Sequence, residues 1–472
     1  MHIYLGKNTD KKLLLDFLFS LRYLQKELLF SSKNQNILDV IAKKNLAIKT
    51  LSQKENAFLH CDLIFMPDET EKSLAKNQEI LYYIPQKPQI TKSFLKIIRF
   101  FFYEIFDFLS RILLQIFQKK GEKKGLVIIK TDAIGDYILF RNFLKPLNEK
   151  YGKITLIGNI AYQELFNTFD KDYVDTFIPI NRKQFLKNPF YRLKILFLLK
   201  KNHFTTLLNP LFSRDLISEQ IAHFITAENK ITSTGNTSNL SLKFKKYFDK
   251  FYTQILPSSP QVTFEFHRNQ EFFSTFLNDK NIPFLLELKN PDIVLQKFQL
   301  PKPYAVLFIG ASNPYRKWSA NSFIKVGNFL AQQGLNIVIC GGKEDRDTGE
   351  YIQKNISHQT SINLCGATSL SEVAKIVYNG NQLLSNETSC VHIAKAIRHD
   401  KIFVVYNGNH FHRFTPYPKD LGGEYYGIYH PIVRKNPSAY AIFSNFLQES
   451  RLDINAIKAQ DVISILKNHL KG

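Results

Sequence analysis

Hydrophobic residues change their rhythm twice along this chain. Over residues 1–92 the pattern is mixed and lysine-rich. Leu13–Phe30 has helical spacing, and Asp62–Phe65 and Ile80–Ile84 read as short strands. From residue 122 the pattern becomes regular. Leu126–Ile129 predicts a buried strand and Asp136–Lys150 a helix that carries Pro146. Strands follow at Ile154–Ile157, Thr176–Ile180 and Thr205–Leu208, and the polar stretch Thr232–Ser241 reads as a loop. Pro301 and Pro303 precede a fresh strand, Tyr304–Ile309, and set a domain boundary. A second series follows: helix Ala320–Gln333, strand Asn336–Cys340, helix Asp345–Lys354, strand Ile362–Leu364 and helix Leu370–Tyr378. Strand Gln382–Ser385, helix Cys390–Ile397 and strand Ile402–Tyr406 complete it. Ala456–Leu470 again has helical spacing. Alternating β and α units with short loops predict α/β architecture: two doubly wound, Rossmann-like domains with a cleft at the carboxyl ends of their sheets.

Between these regions lies SFLKIIRFFFYEIFDFLSRILLQIFQ, residues 93–118. Lys96, Arg99, Glu104, Asp107 and Arg111 interrupt it, which argues against a simple membrane span. At 100° per residue these charges fall within an arc of about 140°. A wide Phe/Ile/Leu face opposite a charged stripe suits a helix lying in a membrane interface, against the plainer reading of a helix packed on the protein itself. The chain therefore divides into residues 1–92 of unassigned role, 93–121 as the amphipathic helix, 122–300 and 301–440 as the two domains, and 441–472 as a helical segment.

Composition changes this picture in one respect. Of 472 residues, 63 are Lys or Arg and 41 are Asp or Glu, a net charge of +22, and 44% are hydrophobic. The balance excludes wholesale disorder and calls for an anionic partner. The excess is spread along the chain, with one local concentration. Arg182, Lys183, Lys187, Arg192, Lys194, Lys200 and Lys201 occur without an acid among them, interleaved with bulky apolar residues. Such a basic amphipathic stretch reads as attraction to an acidic membrane surface, against the plainer reading of solvated lysines. No nucleic-acid module accompanies the charge, so that partner is not expected. Cys61, Cys340, Cys365 and Cys390 lie far apart without CxxC spacing, which predicts neither a disulfide framework nor a zinc site. Leu13–Phe19 is too short to be a signal peptide core and is broken by Asp16, so a cytoplasmic location is expected.

Three loops carry candidate chemistry. In Lys130-Thr131-Asp132-Ala133-Ile134-Gly135-Asp136, Gly135 permits close backbone approach, and Asp136 projects from the first helical turn. That carboxylate can accept a proton from a hydroxyl, or merely cap the helix. No GxGxxG is present, which disfavours a nicotinamide cofactor. In Gly310 to Trp318, Arg316 and Lys317 can neutralise phosphates, or form a basic loop beside a core Trp318. In Ser385 to Ala394, Thr388 and Ser389 sit where a strand meets a helix, a place for a diphosphate or for a simple cap. His392 reads as a core or supporting residue before an acid or base. Glu344 or Asp345, after Gly341-Gly342, can bind a ribose hydroxyl. Ser369 reads as a helix cap, with ligand contact as the lesser reading. His410, His412 and Arg413 either line the cleft or lie on the surface.

These motifs, in this order, resemble glycosyltransferase family nine, the ADP-heptose:lipopolysaccharide heptosyltransferases, from about residue 125 to the C-terminus. Lys130 to Asp136 is similar to the family's K/R-x-x-x-x-G-D, Gly310 to Trp318 to its basic loop, Leu364 to Leu370 to its L-x-G-x-T-S-L, and Asn386 to Ala394 to its N-D-S-G-x-x-H-x-A. The resemblance implies a GT-B fold and inverting transfer without a metal or other cofactor. It makes Asp136 the base on an acceptor hydroxyl, with Lys130, Asp132 and Gly135 on the acceptor side. It makes Arg316, Lys317, Thr388 and Ser389 the diphosphate site, with Gly310, Glu344, Asp345, Ser369, Glu387 and His392 around the donor. The implied partners are a nucleotide-sugar, ADP-linked heptose or a related sugar, and a glycolipid or polysaccharide acceptor. Glu387, Ser389 and Cys390 depart from the family's Asp, Gly and Pro, and residues 407–418 differ from its G-P-T-D-P loop. A nucleotide-sugar epimerase and a non-catalytic membrane-associated relative are the alternatives.

Overall fold

The computed structural model describes residues 2–6, 28–32, 48–52, 63–65, 71, 81–83, 90–117, 123–200, 202–280, 284–289, 292–397, 400–435, 437 and 452–469. They form three wholly parallel sheets. The first holds β1 (His2–Leu5), β2 (Leu28–Ser32), β3 (Ile48–Ser52), β4 (Leu63–Phe65) and β5 (Leu81–Tyr83) in the order β3-β2-β1-β4-β5. The mixed N-terminal pattern thus belongs to a sheet of its own. Of the expected helix Leu13–Phe30, only Leu28–Phe30 are among the described residues, and they lie in β2. The two short strands expected here are β4 and β5.

The second sheet holds β6 (Lys123–Lys130), β7 (Ile154–Asn159), β8 (Thr176–Ile180), β9 (His203–Asn209), β10 (Ala227–Ser233) and β11 (Gln254–Leu256). The third holds β12 (Tyr304–Phe308), β13 (Asn336–Cys340), β14 (Ser361–Asn363), β15 (Gln382–Asn386), β16 (Ile402–Tyr406) and β17 (Tyr425–Tyr429). Both place their first strand beside their fourth, in the orders β11-β10-β9-β6-β7-β8 and β14-β13-β12-β15-β16-β17. Two switch points follow, β6/β9 and β12/β15. At such points the loops leaving neighbouring strands diverge and open a crevice for ligands.

The central strands are buried on both faces, as parallel strands covered by helices must be. In β6, Leu126 and Ile128 join Tyr137, Phe140 and Phe143 on one side, while Val127 and Ile129 meet Phe185, Leu196 and Ile221 on the other. In β12, Tyr304 and Val306 belong to the same core as Leu126, whereas Ala305 and Leu307 face Phe323, Val326 and Leu330. One apolar core therefore runs from the second sheet into the third and fixes the domains against each other.

Local departures from the expected elements have local causes. The predicted helix Asp136–Lys150 is broken into Ile134–Ile138, a single 3-10 turn at Arg141–Phe143, and Leu144–Tyr151. Pro146 falls in the first turn of the last piece, where its missing N–H costs nothing. Thr232 and Ser233, expected in a loop, end β10, and the Thr232 hydroxyl donates to the Asn209 carbonyl at 2.9 Å.

Helix Ile90–Phe117 lies on the second sheet's helical layer. Phe100, Tyr103, Asp107 and Ser110 are buried beneath it. Asp107 takes the Arg192 guanidinium, with Nε at 2.7 Å, and Glu104 accepts from Tyr247 and Gln220 at 2.9 and 3.2 Å. Arg111 donates to the His223 carbonyl at 2.9 Å. The opposite side leaves Ile98, Phe101, Phe102, Ile105, Phe108, Leu109, Ile112 and Leu113 exposed. Glu104, Asp107 and Arg111 of the charged stripe thus face the protein, and the apolar stripe faces out. Among the described residues no helix is long and apolar enough to cross a membrane.

Candidate active site in the inter-domain cleft

The loop leaving β6 is held by side chains from its neighbours. Asn159, at the end of β7, donates to the Asp132 carbonyl at 2.8 Å. The Tyr162 hydroxyl donates to the Lys130 carbonyl. Arg182 donates to the Thr131 carbonyl at 2.8 Å and pairs with Asp215 at 2.6 Å. Lys130 is fully buried and reaches Asp132 at 2.8 Å. Burial opposes its charge, but the Asp132, Asp136 and Glu265 carboxylates outweigh burial and hold its pKa above the ordinary value. Arg182, grouped by sequence with the basic stretch 182–201, instead serves this loop. Arg192 of the same group is buried on Asp107.

Asp136 stands at the start of helix Ile134–Ile138. The Ala133 N–H donates to its Oδ2 at 3.3 Å, so the capping role is real but weak. Burial, then the nearby Asp132 carboxylate and Glu265, push its pKa up to about 7, against the pull of Lys130 and Arg413. A carboxylate poised there is matched to proton transfer near neutral pH.

Gly135 is required for a reason the sequence did not show. A Cβ here would lie 2.6 Å from Cδ2 of His392, in the helix Ser389–Ala396 of the other domain. His392 is buried, shares a hydrogen bond of 2.5 Å with the Tyr417 hydroxyl, and is kept neutral by burial and by Arg316, its pKa pushed down to about 3. It therefore packs as a neutral ring against Gly135 where the two domains meet.

The loop leaving β12 brings Arg316 and Lys317 to the third sheet's switch point, but not as free cations. Arg316 pairs with the Glu387 carboxylate, donates to the Glu387 carbonyl at 2.6 Å and reaches Ser312 at 3.2 Å. Lys317 pairs with Asp345. Asp345 also accepts from the Gly342 N–H at 2.9 Å, and a Cβ on Gly310 would sit 2.7 Å from its Oδ2. Asp345 is thus a buried staple between loops, and Glu344 is the carboxylate of the two that faces solvent. Ser369 does not point to a ligand role. Its hydroxyl accepts from the Glu372 N–H at 3.2 Å and its N–H donates to Glu372 at 2.8 Å, a closed capping box. Thr388 and Ser389 open helix Ser389–Ala396, are half-buried, and offer its first N–H groups to the cleft edge. Trp318 is a core anchor, donating to the Ile457 carbonyl at 2.9 Å.

The structure adds residues that spacing could not pair. Arg413, from the loop after β16, bonds Glu265 at 2.8 Å and Ser213 at 2.8 Å across the cleft, and its charge bears on Asp136. His410 is kept neutral by burial and by Arg413 and Arg316, its pKa near 3. Of the three residues of that loop left open by sequence, Arg413 bridges the cleft, His410 is held beside Arg413 and Arg316, and His412 is exposed.

Residues 215–423 match glycosyltransferase family 9 (heptosyltransferase). That match begins beyond the Lys130–Asp136 loop. Lipooligosaccharide heptosyltransferase 2 of Haemophilus ducreyi is 26% identical over 106 residues, 22% of this chain and 30% of the relative. The Haemophilus influenzae protein of the same name is 26% identical over 87 residues, 18% and 25% of the two chains. The chain thus matches less than a third of the length of these curated relatives. Among solved structures, a family 9 glycosyl transferase from Veillonella parvula superposes with a TM-score of 0.56 at 16% identity, over 74% of this chain and 97% of that one. E. coli heptosyltransferase WaaC with ADP gives 0.54 at 14%, over 74% and 98%. These likenesses show the GT-B fold.

Proposed function

We propose that this chain, whose residues 215–423 match glycosyltransferase family 9 (heptosyltransferase), transfers a sugar with inversion from a nucleotide-diphosphate donor to a hydroxyl of a lipopolysaccharide-type or lipid-linked glycan. The observation that carries the reading is Asp136, a carboxylate with a pKa of about 7 at one switch point, facing a helix start and a cationic loop at the other. In the proposed step Asp136 removes the acceptor proton as that oxygen bonds to the anomeric carbon. The bond from that carbon to the diphosphate breaks on the opposite face, and the bond's electron pair leaves with the diphosphate. The N–H groups at Thr388 and Ser389 receive the released charge together with Arg316 and Lys317, as fixed donors do best in a site already arranged for them.

The ion pairs shape how this happens. A diphosphate must compete with Glu387 for Arg316 and with Asp345 for Lys317. Asp345 is already committed to Gly342, so a ribose contact falls to Glu344. WaaC was solved with ADP and with a fluorinated ADP-heptose, which supports an ADP-linked heptose or a related sugar as the donor here. Lys130, Asp132 and the Gly135 backbone would flank the acceptor.

The test has two parts. ADP-, UDP-, GDP- and CDP-sugars are screened for protection against unfolding, and the protecting donor is used in a transfer assay. Asp136→Asn should bind that donor as before and lose transfer by about 10²–10⁴-fold. Undiminished transfer, or release of sugar without an acceptor, would remove the assignment.

A further inference from the structure

We infer that the outward stripe of helix Ile90–Phe117 is a docking surface for an anionic lipid bilayer. The eight exposed apolar side chains between Ile98 and Leu113 fall on one face of the helix, within an arc of about 140° at 100° per residue. All eight are 43–61% exposed and adjoin one another, a contiguous apolar patch of the kind that marks an interaction surface rather than the scattered single residues usual on a monomer. The helix cannot turn this stripe inward, because its other side is spent. Asp107 is paired with Arg192, Glu104 with Tyr247 and Gln220, and Arg111 with the His223 carbonyl.

Charge selects the occupant. Both carboxylates of the helix, Glu104 and Asp107, are engaged against the protein. The segment packed beside it, residues 182–200, has no acid and exposes Lys183, Lys187 and Lys194 along with Phe190, which is 85% exposed. Tyr103 ties the two together by donating to the Leu186 carbonyl at 2.8 Å. Arg99 is exposed on the helix itself. A second copy meeting this face about a two-fold axis would set lysines against lysines. An anionic bilayer supplies both hydrocarbon for the aromatic stripe and negative charge for the lysines. The helix would lie in the interface, mounted on the protein by its polar side. This deepens the proposed function, since a lipid-linked acceptor is met at such a surface. Vesicle binding is read without donor or turnover, so the two readings fail separately.

The experiment is sedimentation of the full chain with vesicles of phosphatidylcholine alone or mixed with phosphatidylglycerol. Binding should require the anionic lipid and fall with added salt. Phe101→Ser with Phe108→Ser, and separately Lys187→Glu with Lys194→Glu, should each weaken it at least about tenfold while donor-dependent thermal protection is kept. Equal binding to neutral vesicles, or variants that bind as tightly as the parent, would overturn the inference. So would a dimer in solution that the Phe101→Ser/Phe108→Ser variant abolishes while the parent ignores vesicles.

Discussion

The two switch points share a strand order and handle charge in opposite ways. At β12/β15 each cation is matched locally: Arg316 with Glu387, Lys317 with Asp345. At β6/β9 the carboxylates Asp132, Asp136 and Glu265 crowd around Lys130, and one cation, Arg413, must be lent by the other domain. The first arrangement stores positive charge that an arriving anion can claim. The second leaves Asp136 with too little compensation to ionise easily, which is the condition for a base near neutral pH. In the proposed reading, the anion site and the proton acceptor are two switch points of the same strand order whose side chains are paired differently.

The sharpest way to break this contrast is to withdraw the loan. Arg413→Ala leaves Glu265, which is 2% exposed, without its partner. Breaking a buried pair from one side costs about 3–5 kcal/mol, and denaturant melts should show that loss. Arg413→Ala with Glu265→Gln should recover most of it, because no unpaired charge remains. If the single variant is as stable as the parent, Arg413 is not the cross-domain tie.

Next in size is the anion side. Arg316→Ala should lower transfer by about 10²–10³-fold, the usual worth of one fixed donor to a developing anion. Glu387→Gln tests the other half of the pair. It frees Arg316 from its carboxylate and should tighten donor binding in a titration. A donor affinity that drops instead would mean that Glu387 itself holds the donor.

How much of this was visible beforehand differs by half. Glycines and charges at strand ends marked all three loops, because a parallel sheet must place its chemistry where strands stop. The central strands are legible as continuous apolar runs, nearly to the residue in the third sheet, while β6 and β9 extend two or three residues beyond their apolar centres into Lys123–Lys124 and His203–Phe204. The outer strands β10 and β11 of the second sheet and the edge strand β17 of the third have no counterpart in the sequence pattern, since partly exposed strands such as Ala227–Ser233 carry no such run. Glu265 and Arg413 lie 148 residues apart, a pairing that no local pattern contains. Helix Ile90–Phe117 is the intermediate case. Its stripes were legible, but which one faces the protein was decided by Arg192, 85 residues from Asp107. Within the basic stretch, Arg182 and Arg192 were misread for the same reason.

Gly135→Ala probes the seam between the two switch points. Its Cβ would enter the space of the His392 ring, which the Tyr417 hydroxyl and the core hold in place. Overpacking of this kind costs about 1–3 kcal/mol. Adding His392→Ala should relieve the clash in part, and a double-mutant cycle of unfolding free energies reads the coupling. Independent effects would place the seam elsewhere.

The smallest expected effect addresses the origin of the base. Transfer should rise with pH along a limb near 7 as Asp136 loses its proton. Burial contributes most to that raised pKa and the Asp132 carboxylate next. Asp132→Asn removes a like charge and releases Lys130 from its 2.8 Å partner, and both changes favour ionised Asp136. The limb should therefore move below 7, so that the variant keeps a larger share of its maximal kcat/KM at pH 6 than the parent does. It should not return to the ordinary carboxylate range, because burial in the cleft is unchanged. Arg413→Lys, which keeps the charge, should leave the limb close to its parental position. A limb that Asp132→Asn does not shift would assign the raised pKa to burial and Glu265, without Asp132. The Asp132 carboxylate would then serve the loop's structure and not its chemistry.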